Sequence, residues 1–190
     1  MAKASIGDYK ESLVEALCSF RCCKDLDVQA FLNSQAIDFE LRGWATTYLL
    51  LSKEDFNNHR LFVEGYFSLT HKAVVFNEGV SLSSRKKISG LKKAKTESFV
   101  LIGQLGKRIE YANDGELVCS RLTAIDLLND AMTVIEQSSD LIICRNVIIE
   151  CKPIEKIKRL YESYGFTDLQ YDELDGLHTL YLRMENKITF

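Results

Sequence analysis

The chain has 190 residues, 46% of them hydrophobic, with one proline and no low-complexity tract, which suits a single domain over 1–190 and excludes a disordered or fibrous protein. A formal net charge of −3 is too small to imply an obligate nucleic-acid or membrane partner. The first seven residues are too short and polar for a secretory core, and no apolar run approaches the ~20 residues that cross a bilayer, so a cytoplasmic protein with no membrane partner is expected.

In chain order, Asp8 to Phe20 reads as an amphipathic helix, with Leu13, Val14, Ala16, Leu17 and Phe20 on one stripe, Asp8 as cap and Glu11 three residues on. Leu26, Ala30, Phe31 and Ser34, then Ile37 or Asp38, give a second helix ending near Gly43, so a helical hairpin opens the chain. From Trp44 the period changes. Ala45 to Ser52 and Leu61 to Phe76 read as antiparallel strands joined by the polar Lys53 to Arg60, and Gly65 inside the second marks a bulge or a close backbone approach.

Asn77 to Glu97 carries Arg85, Lys86, Lys87, Lys92, Lys93 and Lys95, with Ile88 and Leu91 as its few apolar residues, and reads as an exposed, partly helical basic insertion. Ser98 to Leu105 is a buried strand, Lys107 to Cys119 is irregular, and Ala124 to Ser138 is a helix with Ile125, Leu128, Met132 and Ile135 on one face. Leu141 to Cys151 is a continuous apolar strand. Pro153 suits the first position of the following helix, Ile154, Ile157, Leu160, Tyr161 and Tyr164 recur at helical spacing, and Gly165 suits a left-handed cap. Phe166 to Asp172 and His178 to Glu185 close the chain as strands around the Asp175-Gly176 turn. This order implies an α/β (α+β) fold with a mixed, mostly antiparallel central sheet and helices on both faces.

Six cysteines, at 18, 22, 23, 119, 144 and 151, form no Cys-x-x-Cys pair and read as reduced, mostly packed thiols. His59, His71 and His178 have neither metal-ligand spacing nor a Ser/Asp partner pattern, so neither a metal site nor a hydrolase triad is expected.

Phe31-Leu32, Val63-Glu64-Gly65-Tyr66, Leu101-Ile102-Gly103-Gln104-Leu105-Gly106-Lys107, Leu127-Leu128-Asn129-Asp130-Ala131-Met132 and Leu160-Tyr161-Glu162-Ser163-Tyr164-Gly165-Phe166 follow one another in an order and spacing that resembles the GCN5-related N-acetyltransferase (GNAT) superfamily. The resemblance covers most of the chain. It implies a GNAT-like acyl-CoA acyltransferase fold and, as co-substrate, acetyl-coenzyme A (acetyl-CoA) entering between two splayed central strands, with an amine attacking its thioester. Phe20-x-Cys22, Leu26-Asp27-x-x-Ala30-Phe31-Leu32-x-x-x-Ala36 and Ala45-Thr46-Thr47-Tyr48 are similar to the branch of acetyltransferase toxins that modify aminoacyl-tRNA.

The resemblance also implies a site. The pyrophosphate loop at a helix start falls on Cys119-Ser120-Arg121-Leu122-Thr123-Ala124, where only Ala124 fits cleanly: Cys119 stands where Gln or Arg is usual and Leu122 where Gly is usual. Ser120, Arg121, Leu122, Thr123 and Ala124 are the candidate phosphate-binding residues, with Ser120 and Thr123 as hydroxyl donors and Arg121 as the charge. An ordinary capped helix, with Thr123 and Asp126 as a partial capping box, is the alternative reading of the same residues. Leu105, Gly106 and Lys107 would meet the pantetheine arm, although Gly106 also reads as a strand terminator.

Tyr161 matches the family tyrosine that protonates the departing thiolate, and from helical spacing alone it is a core tyrosine. Glu150, breaking the Val147-Ile148-Ile149 run, is the candidate base, and Glu64 is the other. Ile154 stands where an auxiliary coenzyme contact is often Asn. The acceptor is a small-molecule, peptide or aminoacyl-tRNA amine. Arg85 to Lys95 offers a nucleic-acid contact or a solvated insertion. Transfer of acetyl to a primary amine by direct attack on the thioester is the leading function, beside a catalytically silent binding or regulatory protein of the same fold.

Overall fold

The computed structural model describes residues 10–139 and 146–184. The Asp8 cap, Cys144, residues 141–145 of the expected apolar strand, and Glu185 lie outside them. In chain order the elements are α1 (Lys10–Cys18), α2 (Leu26–Ala30), a π-helical turn (Phe31–Gln35), α3 (Ala36–Leu41), β1 (Thr46–Leu51), α4 (Lys53–Asn57), β2 (Val63–Val75), α5 (Leu82–Ser89), β3 (Thr96–Lys107), β4 (Ile109–Tyr111), β5 (Leu117–Cys119), α6 (Ala124–Ser139), β6 (Asn146–Cys151), α7 (Glu155–Tyr164), β7 (Thr167–Asp172) and β8 (Leu177–Arg183). Six strands hydrogen-bond in the order β1-β2-β3-β6-β8-β7, and β4 and β5 pair separately. The sheet is mixed: β3 and β6 run parallel, whereas β6–β8 and β7–β8 are antiparallel.

Four details depart from the sequence expectations. Lys53 to Arg60 contains a helical turn, α4, whose Ser52 hydroxyl accepts the Asp55 N–H at 3.2 Å; Ser-x-x-Asp is a cap signature that the polar character of the segment hid. The expected irregular stretch after Lys107 is the β4–β5 hairpin, turned by Asp114-Gly115, with Gly115 at φ +86°. Ile125 is 37% exposed, and the buried face of α6 is Leu127, Leu128, Ala131, Met132 and Ile135. Pro153 precedes the α7 cap instead of opening the helix: Ile154 is extended (φ −103°, ψ 112°), and its carbonyl accepts the first bonds, from Ile157 and Lys158.

The described residues group into two compact units, and β2, β3 and α6 contribute to both. The first holds the described residues through Ser68 and Gln104–Asn129. Its core is Ala16, Leu17, Phe20, Phe31, Leu32, Ala36, Val63 and Tyr66. The π turn serves this core, because Ala36 N–H bonds to Phe31 O, five residues back, and places both on the buried side. Tyr66 lies edge-on to Phe20 at 5.5 Å and donates its hydroxyl to Val28 O at 2.6 Å. The second unit holds Leu69–Gly103 and the described residues from Asp130 on, around Val74, Phe76, Val80, Ile88, Phe99, Ile148 and Tyr181.

Candidate active site

The end of β3 and the start of α6 define a built loop. β3 pairs with β6 from Val100↔Val147 to Ile102↔Ile149 and itself runs on to Lys107. At Gly106 a Cβ would overlap Val28 Cγ1 and stand 3.2 Å from the Tyr66 ring, so packing by α2 gives this glycine its reason. Lys107 Nζ donates to Leu122 O at 3.0 Å, and Ser120 N–H donates to Arg108 O at 2.9 Å. These bonds tie the Cys119–Ala124 segment to the strand end.

Leu122 occupies the position where the resembling loops carry glycine, and it turns its side chain onto β2. A Cβ on Gly65 would stand 3.0 Å from Leu122 Cδ1 and 3.1 Å from both Gly106 O and Leu127 Cδ2. The close backbone approach read from Gly65 is to Gly106 O of β3, and the loop adds the Leu122 side chain. Within the loop, Leu122 N–H donates to Ser120 Oγ at 3.2 Å, leaving the Ser120 hydroxyl proton available to a ligand.

α6 begins with a closed capping box. Thr123 N–H and hydroxyl both donate to Asp126 Oδ2, at 2.7 and 2.8 Å, and Asp126 N–H donates to Thr123 Oγ1 at 3.1 Å. These bonds hold the Asp126 carboxyl below the usual carboxylate range. Thr123 is thus engaged with Asp126, the partner foreseen for a capped helix. Among the described residues the N–H groups of Arg121, Ala124 and Ile125 have no hydrogen-bond partner, and these are the donors the helix start offers an anion.

A cleft of ≈ 630 Å³ borders this loop, lined among others by Lys53, Phe62, Glu64, Arg108, Ser120 and Leu122. Arg108 is 5% exposed and has the role of a strut. Its Nε donates to Val63 O and its Nη1 to Ser19 O, both at 2.9 Å, while its guanidinium lies 4.2 Å from the Phe62 ring centre. Among the described residues Nη2 has no hydrogen-bond partner. Burial pushes the guanidinium down from its ordinary value, with Glu110 opposing.

In the second unit, Glu150 does not stand alone: both its oxygens accept from Lys72 Nζ at 2.7 Å. The carboxylate is half-hidden in that ion pair. Glu64 has no ion pair among the described residues.

Tyr161 is half-buried on α7. Its main-chain carbonyl accepts Phe166 N–H at 3.0 Å, and Gly165 N–H bonds to Glu162 O at 3.0 Å, with Gly165 at φ +115°. This bond pair is the Schellman termination, in which the sixth residue bonds back to the first and a hydrophobic contact joins the two. Phe166 supplies the contact: it is 3% exposed, and its ring meets those of Tyr161 and Tyr164 at 6.1 Å. The spacing Tyr-x-x-x-Gly-Phe is thus a helix-stop spacing, which fixes the backbone of Tyr161. Ile154, where Asn was the family expectation, is exposed. Among the described residues no three His, Cys, Asp or Glu side chains group as a metal site, and no helix is long and apolar enough to cross a membrane.

No family model matches the sequence, and no curated protein matches it. Solved structures do. AtaT complexed with acetyl-methionyl-tRNAfMet superposes with a TM-score of 0.64, at 21% identity over 88% of this chain and 86% of that one. AtaTR bound with acetyl-CoA gives 0.62 at 22% identity over 88% and 86%. A tyrosine-to-phenylalanine mutant of KacT gives 0.64 at 20% identity over 87% and 85%. The similarity extends over most of each chain, and the protein has the fold of the AtaT and KacT toxins, in agreement with the GNAT-like sheet expected from the ordered motifs.

Proposed function

We propose that the chain is an acetyl-CoA-dependent N-acetyltransferase. The observation that carries this reading is the shared fold with AtaT, whose solved forms include one with acetyl-CoA and one with acetyl-methionyl-tRNAfMet. The residues present fit the coenzyme at one end: the N–H groups of Arg121, Ala124 and Ile125, the Ser120 hydroxyl and the Arg121 charge suit a diphosphate at a helix start. The main chain of Leu105, Gly106 and Lys107 would carry the pantetheine arm, beyond the last β3–β6 pair.

In the reaction a neutral primary amine attacks the thioester carbonyl, the C–S bond breaks, and the thiolate takes a proton. Tyr161 is the proposed donor of that proton, because a phenol stays protonated until a strong base forms beside it. The amine proton goes to a base or to water. The Lys72 ion pair disfavours Glu150 for that task, since its oxygens are already engaged, and favours Glu64. Incubation with acetyl-CoA and a panel of primary amines, read as free thiol released, tests the reading. Absence of acetyl-CoA binding in calorimetry at millimolar ligand removes it.

For the acceptor we favour aminoacyl-tRNA. Lys86, Lys87, Lys92, Lys93 and Lys95 are exposed. Arg85 is excluded from that surface, because its guanidinium is spent on Val80 O, Ala94 O and Asn77 O. Neutralising Lys86, Lys87, Lys92 and Lys93 is expected to weaken tRNA binding and flatten its salt dependence by roughly 0.7–0.9 log units per lost phosphate contact. Unchanged affinity assigns the acceptor to another amine class.

A further inference from the structure

Resting on the coenzyme reading above, we propose that Gly65 is the positioning residue of the diphosphate loop, supplying from β2 the glycine that the loop lacks at position 122. A helix-start loop binds a diphosphate through main-chain N–H groups, so its backbone must turn toward the ligand with no side chain between them. Glycine within the loop achieves this by having no side chain. Here Leu122 has one, and the loop disposes of it by laying it on the one β2 position that carries no Cβ. The fit is tight: a Cβ at 65 would stand 3.0 Å from Leu122 Cδ1, a separation at which the leucine must give by a few tenths of an ångström.

Two further bonds make the arrangement a seat. Lys107 Nζ holds Leu122 O at 3.0 Å, and Ser120 Oγ takes Leu122 N–H at 3.2 Å, so both main-chain groups of Leu122 and its side chain are fixed together. Among the described residues, the adjoining N–H groups of Arg121 and Ala124 have no hydrogen-bond partner. Filling the seat pushes Leu122 out, rotates the Arg121–Thr123 peptides, and removes donors from the ligand while leaving Tyr161 and the acyl chemistry untouched. Gly65 touches no ligand in this scheme and acts only through Leu122.

The test is a double-mutant cycle of wild type, G65A, L122A and G65A/L122A. Each protein is scored by acetyl-CoA affinity in calorimetry, by KM against kcat, and by hydrogen exchange without ligand of the Ser120 and Leu122 amides, which are hydrogen-bonded to Arg108 O and Ser120 Oγ. G65A is expected to weaken acetyl-CoA about tenfold through KM, and the double variant to recover part of that loss, because removing Leu122 relieves the contact with the loop while those with Gly106 O and Leu127 Cδ2 stay. A G65A protein that binds like wild type, or a double variant as weak as or weaker than G65A, overturns the proposal. The apo exchange rates separate the two readings. If wild type itself does not bind acetyl-CoA, the acetyltransferase reading falls, while faster exchange in G65A that the double variant reverses still supports the seat. Exchange unaffected by G65A overturns it.

Discussion

α7 ends on a glycine, and α6 begins without one. At the end of α7, Gly165 takes φ +115° and lets Phe166 N–H reach back to Tyr161 O. A single residue type solves the backbone problem locally, and the whole device is written in five consecutive spacings. At the start of α6 the same need for close backbone approach is met by residues remote in sequence: Gly65 from β2, Lys107 from β3, and the Thr123–Asp126 box. The first end keeps a recognisable signature, and the second scatters it. This difference explains why the helix carrying Tyr161 reads as a family marker, whereas the loop reads as degenerate although it is fully braced.

The largest effect expected from separating the two ends is on Tyr161→Phe. Its contributions to the stop are a main-chain carbonyl and a ring, and phenylalanine keeps both, so folding should hold while kcat falls roughly 100- to 10,000-fold with acetyl-CoA affinity retained. A variant of normal kcat ends the acid assignment. Next comes Gly165→Ala. A Cβ there meets Leu182 Cδ1 at an ordinary 3.5 Å, so the penalty is backbone conformation alone, about 1–2 kcal/mol in chemical denaturation. No loss would mean the left-handed residue is not what stops the helix.

Smaller effects belong to α6. Thr123→Ala should cost about 1 kcal/mol, the usual worth of a hydroxyl cap. Asp126→Asn removes a negative charge from the helix start that a diphosphate must share, so acetyl-CoA should bind roughly two- to fivefold tighter, consistent with the usual strength of helix-end charges. The same carboxylate sets a pH dependence. Because its folded value is lowered, its contribution to the helix start is complete above the ordinary carboxylate range of about 4, and is lost as pH falls through the lowered value. The Thr123 amide shift in an acid titration should report that midpoint below about 4.

Much of the sheet and of α7 was legible because the signals are local: β-branched runs, a glycine at a helix stop, and helical spacing of Ile157, Leu160 and Tyr161. The β4–β5 hairpin and α4 are signalled by Asp114-Gly115 and Ser52-x-x-Asp55, but the polar composition around both hides these cap and turn signals. Ile125 stands at the edge of the α6 stripe, because burial of Leu127 and Ala131 beside Leu128, Met132 and Ile135 centres the buried face away from it.

What the residues determined alone is mostly local: the end of α7, the strands of the six-stranded sheet, and the order of motifs that carries the resemblance. Tertiary structure decided the rest. Only folding brings Gly65 under Leu122, fills the place beside Gly106 with Val28, and commits Glu150 to Lys72, because each pairing joins groups tens of residues apart whose contact no local period encodes.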